Sequence, residues 1–252
     1  ISSLGGTTTF FGTFTNNFAS GGRGYHGGCA SETRGIIGGG WQPGTAYNNI
    51  DYFTVASAGD TIDFGDLQQS KGELDWCSSS TRGITAGGEL VPFANTNTID
   101  YIQISTTGDA SDFGDLSQAR GDCVGGSSTT RGIQAGGDAN PVTDKSAVID
   151  YFQFATKGNA ADFGDLTQGR TQLNAGSMSN KTRVIFGPGY VSPGGSQNII
   201  DFITIISMGN AVDFGDRYIG DGWRSSGGAA SSTRAIFSGG RGPSGNTNVM
   251  DY

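Results

Sequence analysis

The sequence predicts an all-β protein built from five repeated units. The main observation is a motif, GDTIDFGDL at 59–67, that returns as GDASDFGDL at 108–116, GNAADFGDL at 158–166 and GNAVDFGDR at 209–217. These copies are 49, 50 and 51 residues apart, and a degenerate copy, GTTTFFGTF, occupies 6–14. A repeat of this length indicates an array of similar supersecondary units. No window shows the apolar period of a helix, and glycine, 45 of 252 residues, would interrupt most candidate helices.

Two further motifs recur in a fixed order. A Thr-Arg pair followed by an apolar run and glycines occurs at 33–40, 81–88, 130–137, 182–189 and 233–240. An aliphatic residue followed by Asp and an aromatic residue occurs at 50–52, 99–101, 149–151, 200–202 and 250–252. Five units of about fifty residues therefore account for the whole chain.

Each unit is predicted to contain four short strands. In the first unit the Thr-Arg motif leads into a strand over Arg34–Gly39, which glycines end. A second strand over Asn49–Ala56 is rich in β-branched and aromatic residues, and a tight turn leads to a third strand over Ile62–Leu67. A fourth strand near Glu73–Ser79 returns to the next Thr-Arg motif.

Five units of four strands favour a five-bladed β-propeller, with four antiparallel strands in each blade. A trefoil needs three units, leucine-rich repeats have a shorter period, and open solenoids usually carry different terminal caps. The chain ends at Asp251-Tyr252, and its first residues resemble those found after Asp-Tyr in the other units. We therefore expect a single domain over 1–252 whose closing blade combines 1–20 with 225–252, which leaves no open sheet edge.

The composition is acidic and bounds the possible partners. The formal net charge is −8 and the pI is about 4.5, whereas nucleic-acid binding depends on clustered Lys and Arg. We therefore expect no nucleic-acid partner. No run of apolar residues is long enough to predict membrane insertion. The chain has no initiating Met and starts within a motif, so we expect a domain cut from something longer.

The three cysteines are Cys29, Cys77 and Cys123. Cys29 and Cys77 both lie four residues before a Thr-Arg pair, so they share one repeat position. We expect small buried strand residues rather than a disulfide. The odd count and the absence of a CxxC motif do not support a zinc site, and no cofactor is expected.

The repeats resemble known repeat families. The double glycine after an apolar run, the period and the four strands per unit resemble kelch-type propeller repeats, whereas the WD dipeptide of another propeller family is absent. The string IDYxTIASxGNAxDFGDL…SSTRGxxxGG is similar to repeats in virion proteins of marine phages, notably cyanophage tail and fibre-associated proteins. The unit at 6–14 departs from it, because Phe10, Gly12 and Thr13 replace the Asp-Phe-Gly-Asp run. The resemblance implies an extracellular, virion-associated propeller and no particular chemistry.

The repeated charges favour a structural role over a metal site. The Thr-Arg arginines are Arg34, Arg82, Arg131, Arg183 and Arg234. The acids of the aliphatic-Asp-aromatic motif are Asp51, Asp100, Asp150, Asp201 and Asp251, and those of the opening motif are Asp63, Asp66, Asp112, Asp115, Asp162, Asp165, Asp213 and Asp216. Each arginine is expected to pair with an Asp of its own or the next blade, because a clamp between blades must recur in every blade. The alternative is that the Asp pairs bind calcium.

The sequence offers little for catalysis. His26 is the only histidine, and no G-x-S-x-G motif occurs. The acids outside the repeated set form no recognisable pair of the kind a glycosidase needs. Among them are Glu32, Glu73, Asp75, Glu89, Asp122, Asp138, Asp144 and Asp221. We therefore expect no enzyme, although an asymmetric acidic pocket at the axis would revive that hypothesis.

The loops are the better place to expect binding. The units differ most between the predicted first and second strands, at 41–48, 89–98, 138–147, 190–198 and 241–248, and again between the third and fourth strands. Both sets emerge on the same face of a blade, where a rigid scaffold presents binding loops. The aromatic residues expected to bind are Trp41, Tyr47, Phe93, Tyr190, Tyr218 and Trp223. The alternative is that these loops vary because nothing constrains them.

The predicted function is a non-enzymatic module of a virion surface or tail fibre. Its expected partner is another virion protein or a host surface glycan, within a larger assembly. The alternatives are a lectin with a site in each blade and a glycan-active enzyme. The loops share almost no residues, which favours a protein-contact or structural role over a fivefold sugar site.

Overall fold

Five small antiparallel sheets are arranged in a ring and form a five-bladed β-propeller. The computed structural model describes residues 10–14, 22–42, 44–139, 144–173, 178–217, 227–242 and 245–252. Among these residues there is no helix, and hence none that could cross a membrane. The fold class predicted from the repeats is confirmed.

Blades 1 to 3 each contain four strands, and their order in the sheet follows the chain. Blade 1 consists of Gly27–Ala30, Arg34–Gly38, Asn49–Thr54 and Ile62–Asp66. Blade 2 consists of Asp75–Ser78, Arg82–Ala86, Thr98–Gln103 and Ser111–Asp115. Blade 3 consists of Val124–Ser127, Arg131–Ala135, Val148–Gln153 and Ala161–Asp165.

Blades 4 and 5 have three paired strands each among the described residues. Blade 4 consists of Arg183–Phe186, Ile199–Thr204 and Val212–Asp216, with a bridge between Ser179 and Val184. Blade 5 consists of Gly227–Ala230, Ala235–Ser238 and Met250–Asp251. Two-residue strands in the connections are Trp41–Gln42, Thr45–Ala46, Glu89–Leu90, Ala94–Asn95, Arg120–Gly121, Asp138–Ala139, Tyr190–Val191, Gly195–Ser196, Arg241–Gly242 and Gly245–Asn246.

The predicted strands are present, with one change in their grouping. The strand expected near Glu73–Ser79 does not complete blade 1. Asp75–Ser78 forms a hairpin with Arg82–Ala86 and is therefore the first strand of blade 2. Blade 1 takes its own first strand, Gly27–Ala30, from the preceding segment of the chain. The first strands of blades 1 to 3 contact one another and lie nearest the axis.

The apolar core lies between neighbouring blades. Ile36 and Phe64 of blade 1 pack with Trp76 and Ile104 of blade 2 in one buried cluster. Similar clusters join blade 2 to blade 3, blade 3 to blade 4 and blade 4 to blade 5. Each blade therefore completes the core of its neighbour.

Small residues on one blade match larger residues on the next. A Cβ atom on Gly132 of blade 3 would lie 3.0 Å from Sγ of Cys77 in blade 2. At the next interface the earlier blade no longer carries the larger residue: Gly126 of blade 3 faces Val184 of blade 4. A Cβ on Gly126 would lie 2.6 Å from Cγ1 of Val184. Cys77 and Cys123 are buried, Cys29 is half-buried, and all three are free thiols.

The opening motif forms an outer seam between blades. Gly158 N donates to Phe113 O at 2.8 Å, and Asn159 Oδ1 accepts a hydrogen bond from Asp115 N at 3.1 Å. Gly114 has a φ of 150°, and a Cβ there would lie 2.4 Å from the carbonyl of Gly158. The seam therefore requires glycine at the third position of Asp-Phe-Gly-Asp.

Residues 10–14 make the same seam with blade 1. Gly59 N donates to Phe11 O at 2.7 Å, and Asp60 Oδ1 accepts from Thr13 N at 2.8 Å. The degenerate copy thus contacts blade 1 as the intact copies contact the blades that come after them. No sheet pairing joins these five residues to Met250–Asp251. Other parts of the predicted closing blade, 1–9, 15–20, 225–226 and 243–244, lie outside the described residues.

A buried cation before each blade binds the Asp of the aliphatic-Asp-aromatic motif. The N–O distances are 2.6–2.9 Å, and all five cationic side chains are fully buried. We call these pairs the clamp pairs. They are Arg23–Asp51, Lys71–Asp100, Arg120–Asp150, Arg170–Asp201 and Arg217–Asp251.

Four of the five clamp pairs join one blade to the next, namely Lys71–Asp100, Arg120–Asp150, Arg170–Asp201 and Arg217–Asp251. The backbone of Arg120 is held by blade 2, since its N–H donates to Thr96 O at 3.2 Å and its carbonyl accepts from Gly88 N at 3.0 Å. The guanidinium enters blade 3, where Nη2 lies 2.9 Å from Asp150 Oδ2 and 3.0 Å from Gln134 O. Arg120 therefore contacts both blades, with backbone hydrogen bonds to blade 2 and side-chain bonds inside blade 3.

The Thr-Arg arginines have partners other than the predicted carboxylates. Arg34 Nη1 donates to Ile104 O of the next blade at 2.9 Å, and the guanidinium lies 4.5 Å from the ring centre of Tyr52. Arg131 repeats this contact with Ile205 O at 2.7 Å. The predicted pairing with Asp66, Asp115, Asp165 or Asp216 was wrong for the described residues. Each arginine begins its strand and each of these acids ends its own, so the two lie at opposite ends of the blade.

Loss of a clamp cation should strongly destabilise the ring. Arg120→Met would leave the Asp150 carboxylate buried without its partner, and we expect the free energy of unfolding to fall by about 3–5 kcal/mol. Urea unfolding followed by tryptophan fluorescence measures it. Arg183→Met is the matched control, because that guanidinium is exposed over Phe202, and it should cost less than about 1 kcal/mol. Equal losses in the two variants would contradict the clamp.

The exchange of sizes between blades can be tested with a double mutant. Gly126→Cys should cost about 1–3 kcal/mol, because the new side chain meets Val184. Adding Val184→Gly gives positions 126 and 184 the same Cys–Gly pairing that Cys77 and Gly132 have. The loss of stability in the double variant should therefore be smaller than the sum of the two single losses by at least about 0.5 kcal/mol. Thermal unfolding of both single variants and the double variant gives the coupling. Strictly additive losses would show that the two positions do not depend on each other.

Candidate binding site on the loop face

The variable connections meet on one face of the ring, as the sequence predicted. The connection between the second and third strands pairs with the segment that precedes its own blade. The pairs are Gly24 with Trp41, Gly72 with Glu89, Gly121 with Asp138, and Thr171 with Tyr190. We call this side of the ring the loop face.

In the segment before each of blades 1 to 4, one residue lies at the inner end of the blade on the loop face. Tyr25, Glu73, Asp122 and Gln172 share one repeat position and have left-handed φ angles of 50–53°. Glu73 N donates to Tyr25 O at 2.9 Å, and Asp122 N donates to Glu73 O at 2.8 Å. Because the first strands that come after these residues lie nearest the axis, this chain of hydrogen bonds borders the axial mouth.

Four acids gather at this mouth: Glu73 and Glu89 of blade 2, and Asp122 and Asp138 of blade 3. The carboxyl groups of Glu73 and Glu89 are within hydrogen-bonding reach. Burial, followed by repulsion from the other three acids, raises the pKa of Glu73 to about 8. Burial, followed by repulsion from Asp138 and Glu89, raises the pKa of Asp122 to about 7, although Lys145 opposes the shift. A carboxyl group here can therefore keep its proton at neutral pH and donate a hydrogen bond.

Polar neighbours hold the acidic group in place. Lys145 Nζ forms an ion pair with Asp138 and lies 5.9 Å from the ring centre of Tyr190. Asn95 Nδ2 donates to the carbonyl oxygen of Asp138 at 2.8 Å. Blades 2, 3 and 4 all contribute side chains to this mouth.

An aromatic pair adjoins the acids. Tyr25 stacks on Trp41 with ring centres 5.3 Å apart and an angle of 24° between the planes. Tyr25 is 61% exposed, while Trp41 is half-buried over Gly72, where a Cβ would lie 2.3 Å from the indole. Since Gly72 directly precedes Glu73, an open aromatic surface borders the carboxyl groups. We call the pair and the four acids the acid–aromatic site.

The six aromatic residues predicted to bind do not all lie at the acid–aromatic site. Trp41 belongs to the acid–aromatic site, and Tyr190 lies at its border. Tyr47 is half-buried, and its hydroxyl donates a hydrogen bond within its own loop. Phe93 is 71% exposed at a hairpin tip. Tyr218 and Trp223 lie outside the described residues.

Sequence reasoning missed the acidic half of the site. In the sequence Glu73, Glu89, Asp122 and Asp138 stand among acids without a recognisable pair, whereas the structure brings these four together. Glu89 and Asp138 each follow a double glycine, and Glu73 and Asp122 each lie two residues after a clamp cation. An alignment of the units at these two positions would have shown that both are acidic in neighbouring blades.

The Asp residues of the opening motif lie away from this site, in the outer seam. Asp162 Oδ1 accepts a hydrogen bond from Gly164 N at 3.1 Å. Burial, then the neighbouring Asp109 and Asp63, raise the pKa of Asp66. In the part of the chain that the structure describes, no three His, Cys, Asp or Glu side chains are arranged to hold a metal ion.

Comparison with solved structures shows the fold. Among 217 matching chains is the structure of YjhT, with a TM-score of 0.74 and 11% sequence identity over 92% of this chain and 82% of YjhT. No family model matches the chain, and no curated protein matches it. The likeness establishes the propeller alone. Because one fold hosts many unrelated functions, function has to be argued from the site.

The buried acid Glu73 should make the protein less stable as pH rises. Its pKa is about 8 in the folded protein and 4.5 in an ordinary environment, so unfolding between these values releases a proton. The contribution of protonated Glu73 to the free energy of unfolding is complete below about pH 4.5 and is lost as the pH rises towards about 8. Glu73→Gln keeps a neutral side chain of similar shape. We therefore expect a higher Tm than the parent at about pH 8 and a flatter Tm profile from about pH 5 to pH 8.

The exposed acid Glu32 supplies the matched control for this measurement. Glu32→Gln removes the same formal charge, and its Tm profile should stay parallel to that of the parent. Parallel profiles for Glu73→Gln and the parent would contradict a proton retained at Glu73.

Proposed function

We propose that this chain is a non-enzymatic binding module that holds a glycan at the acid–aromatic site. The observation that carries the proposal is the exposed Tyr25 ring, stacked on Trp41 beside Glu73. Aromatic faces pack against the apolar face of a sugar ring, and carboxylates form strong hydrogen bonds with its hydroxyl groups. A protonated carboxyl can both donate and accept, which suits hydroxyl groups that do the same.

A single site at the axis fits these residues better than five equivalent sites. The position after the glycines of the Thr-Arg motif holds Trp41, Glu89, Asp138, Tyr190 and Arg241 in the five blades. A lectin with one site in each blade would repeat its pocket chemistry. Here the chemistry changes from aromatic to acidic, to phenolic and to basic around the ring.

The repeats support a place on a phage virion. Their likeness to repeats of cyanophage tail and fibre-associated proteins favours an extracellular module within a larger assembly. The acidic surface suits neither nucleic acid nor an anionic membrane. Another virion protein would then hold the ring, and the loop face would be free for a host surface glycan.

A glycan array tests the proposal, followed by titration calorimetry with any bound glycan. Tyr25→Ala should weaken binding by about tenfold, the effect of losing one stacked aromatic contact of about 1–1.5 kcal/mol. Glu73→Ala should weaken it similarly through lost hydrogen bonds. Phe10→Ala is the matched control, because Phe10 is 79% exposed in the outer seam, and it should bind as the parent does.

No binding to any glycan, or equal losses in all three variants, would contradict the proposal. In that case contact with another protein would remain as the function of the loop face.

A glycan-active enzyme is the second candidate, and the two acid pairs favour it. Glu73 and Asp122 have raised pKa values beside Glu89 and Asp138, and acids of unequal pKa in one site can divide the roles of acid and base. Incubation of bound glycans with the protein, followed by NMR of the sugar anomers and products, separates the two functions. Turnover that Glu73→Gln abolishes would establish the enzyme and overturn the binding module.

A further inference from the structure

A cavity lined mainly by polar residues lies at the end of the axis opposite the acid–aromatic site. Its volume is about 780 Å³, and the turns that come directly before Arg34, Arg82, Arg131 and Arg183 form most of its wall. Small-molecule sites typically measure about 300–1,000 Å³. Each first strand runs from the loop face to one of these turns, so the cavity is separate from the acid–aromatic site. We call it the serine cup, and its main residues are Glu32, Ser78, Ser127, Ser179 and Lys181.

The hydroxyl groups of the cup have defined hydrogen-bond roles. Ser78 Oγ donates to Ala30 O at 3.1 Å, and Ser127 Oγ donates to Ser78 O at 3.0 Å. Both protons are committed to backbone carbonyls, so these two oxygens can only accept from a ligand. Ser179 Oγ already accepts from Ser127 N at 3.2 Å, which leaves its own proton available for a ligand.

The cup also has one negative and one positive side chain, and these lie on different sides of the cavity. Glu32 belongs to blade 1 and Lys181 to blade 4, which are not neighbours in the ring, so they reach the cavity from different sides. Both are exposed, and neither forms an ion pair with any residue that the structure describes. The third charged residue of the wall, Arg34, is committed to Ile104 O and Tyr52.

We propose that the serine cup binds a small zwitterion that carries an ammonium group and a carboxylate. Glu32 and the acceptor oxygens of Ser78 and Ser127 receive the ammonium group, whose hydrogens are all donors. Lys181 and the Ser179 hydroxyl receive the carboxylate. The single positive charge of Lys181 balances the single negative charge of a carboxylate. The cup is a second site, independent of the acid–aromatic site.

NMR titration of the full chain tests the proposal with three probes of equal carbon number. 6-Aminohexanoate carries both charges, while hexylamine and hexanoate carry one each. We expect 6-aminohexanoate to shift the amide signals of Glu32, Ser78 and Lys181. It should bind about tenfold more tightly than either other probe, since it adds one charge-assisted hydrogen-bonded contact.

Variants of the two charged residues test which group of the probe each of them binds. Glu32→Gln should weaken binding of 6-aminohexanoate and hexylamine about tenfold without affecting hexanoate, and Lys181→Gln should weaken 6-aminohexanoate and hexanoate without affecting hexylamine. Asp112→Asn and Lys157→Gln, at exposed residues outside the cup, are the matched controls and should leave all three affinities unchanged. Three outcomes would overturn the proposal: no binding of 6-aminohexanoate, equal affinity for the three probes, or equal losses in cup and control variants.

Discussion

The buried clamp pairs are the interaction on which the ring depends. Apolar packing between blades is not directional, whereas a cation held by one blade and paired inside the next fixes their mutual register. Arg120 leaves Nε and Nη1 without a hydrogen-bond partner, so the clamp is not optimised for net stability. Its value is specificity. Arg217 supports this view, because it stands at the motif position that holds Leu67, Leu116 and Leu166 elsewhere, yet its side chain still reaches Asp251.

Three separate contacts join blade 1 to blade 2, blade 2 to blade 3 and blade 3 to blade 4, and together they leave the loops free to vary. The clamp pairs act near the loop face, the Thr-Arg arginines act at the opposite face, and the opening motif forms the outer seam. None of them uses the tips of the variable connections. The axial mouth can therefore combine Tyr25, Trp41 and four acids from three blades without any change to the ring. The serine cup differs, because its wall consists of repeated turns and only Glu32 and Lys181 distinguish the blades.

The fold could be predicted because the repeat is visible in residues that have strict roles. Gly65, Gly114 and Gly164 meet a carbonyl of the next blade, and the Asp of each clamp pair stands in one fixed register. The clamp cations were missed, since one of them is Lys rather than Arg and Arg217 occupies a shifted position. The acidic site was missed because Glu73 and Asp138 are far apart in sequence, and only the packing of blade 2 beside blade 3 brings them together.

The exchange of arginine side-chain protons with solvent tests the central claim most directly. Hydrogen–deuterium exchange of the Nε–H groups, followed by ¹⁵N NMR of the intact chain, reports whether each guanidinium is buried and held. We expect slow exchange at Arg23, Arg120, Arg170 and Arg217, and exchange at the rate of free arginine at the exposed Arg241. Fast exchange at the four clamp arginines, indistinguishable from that of Arg241, would contradict a ring held together by buried cations.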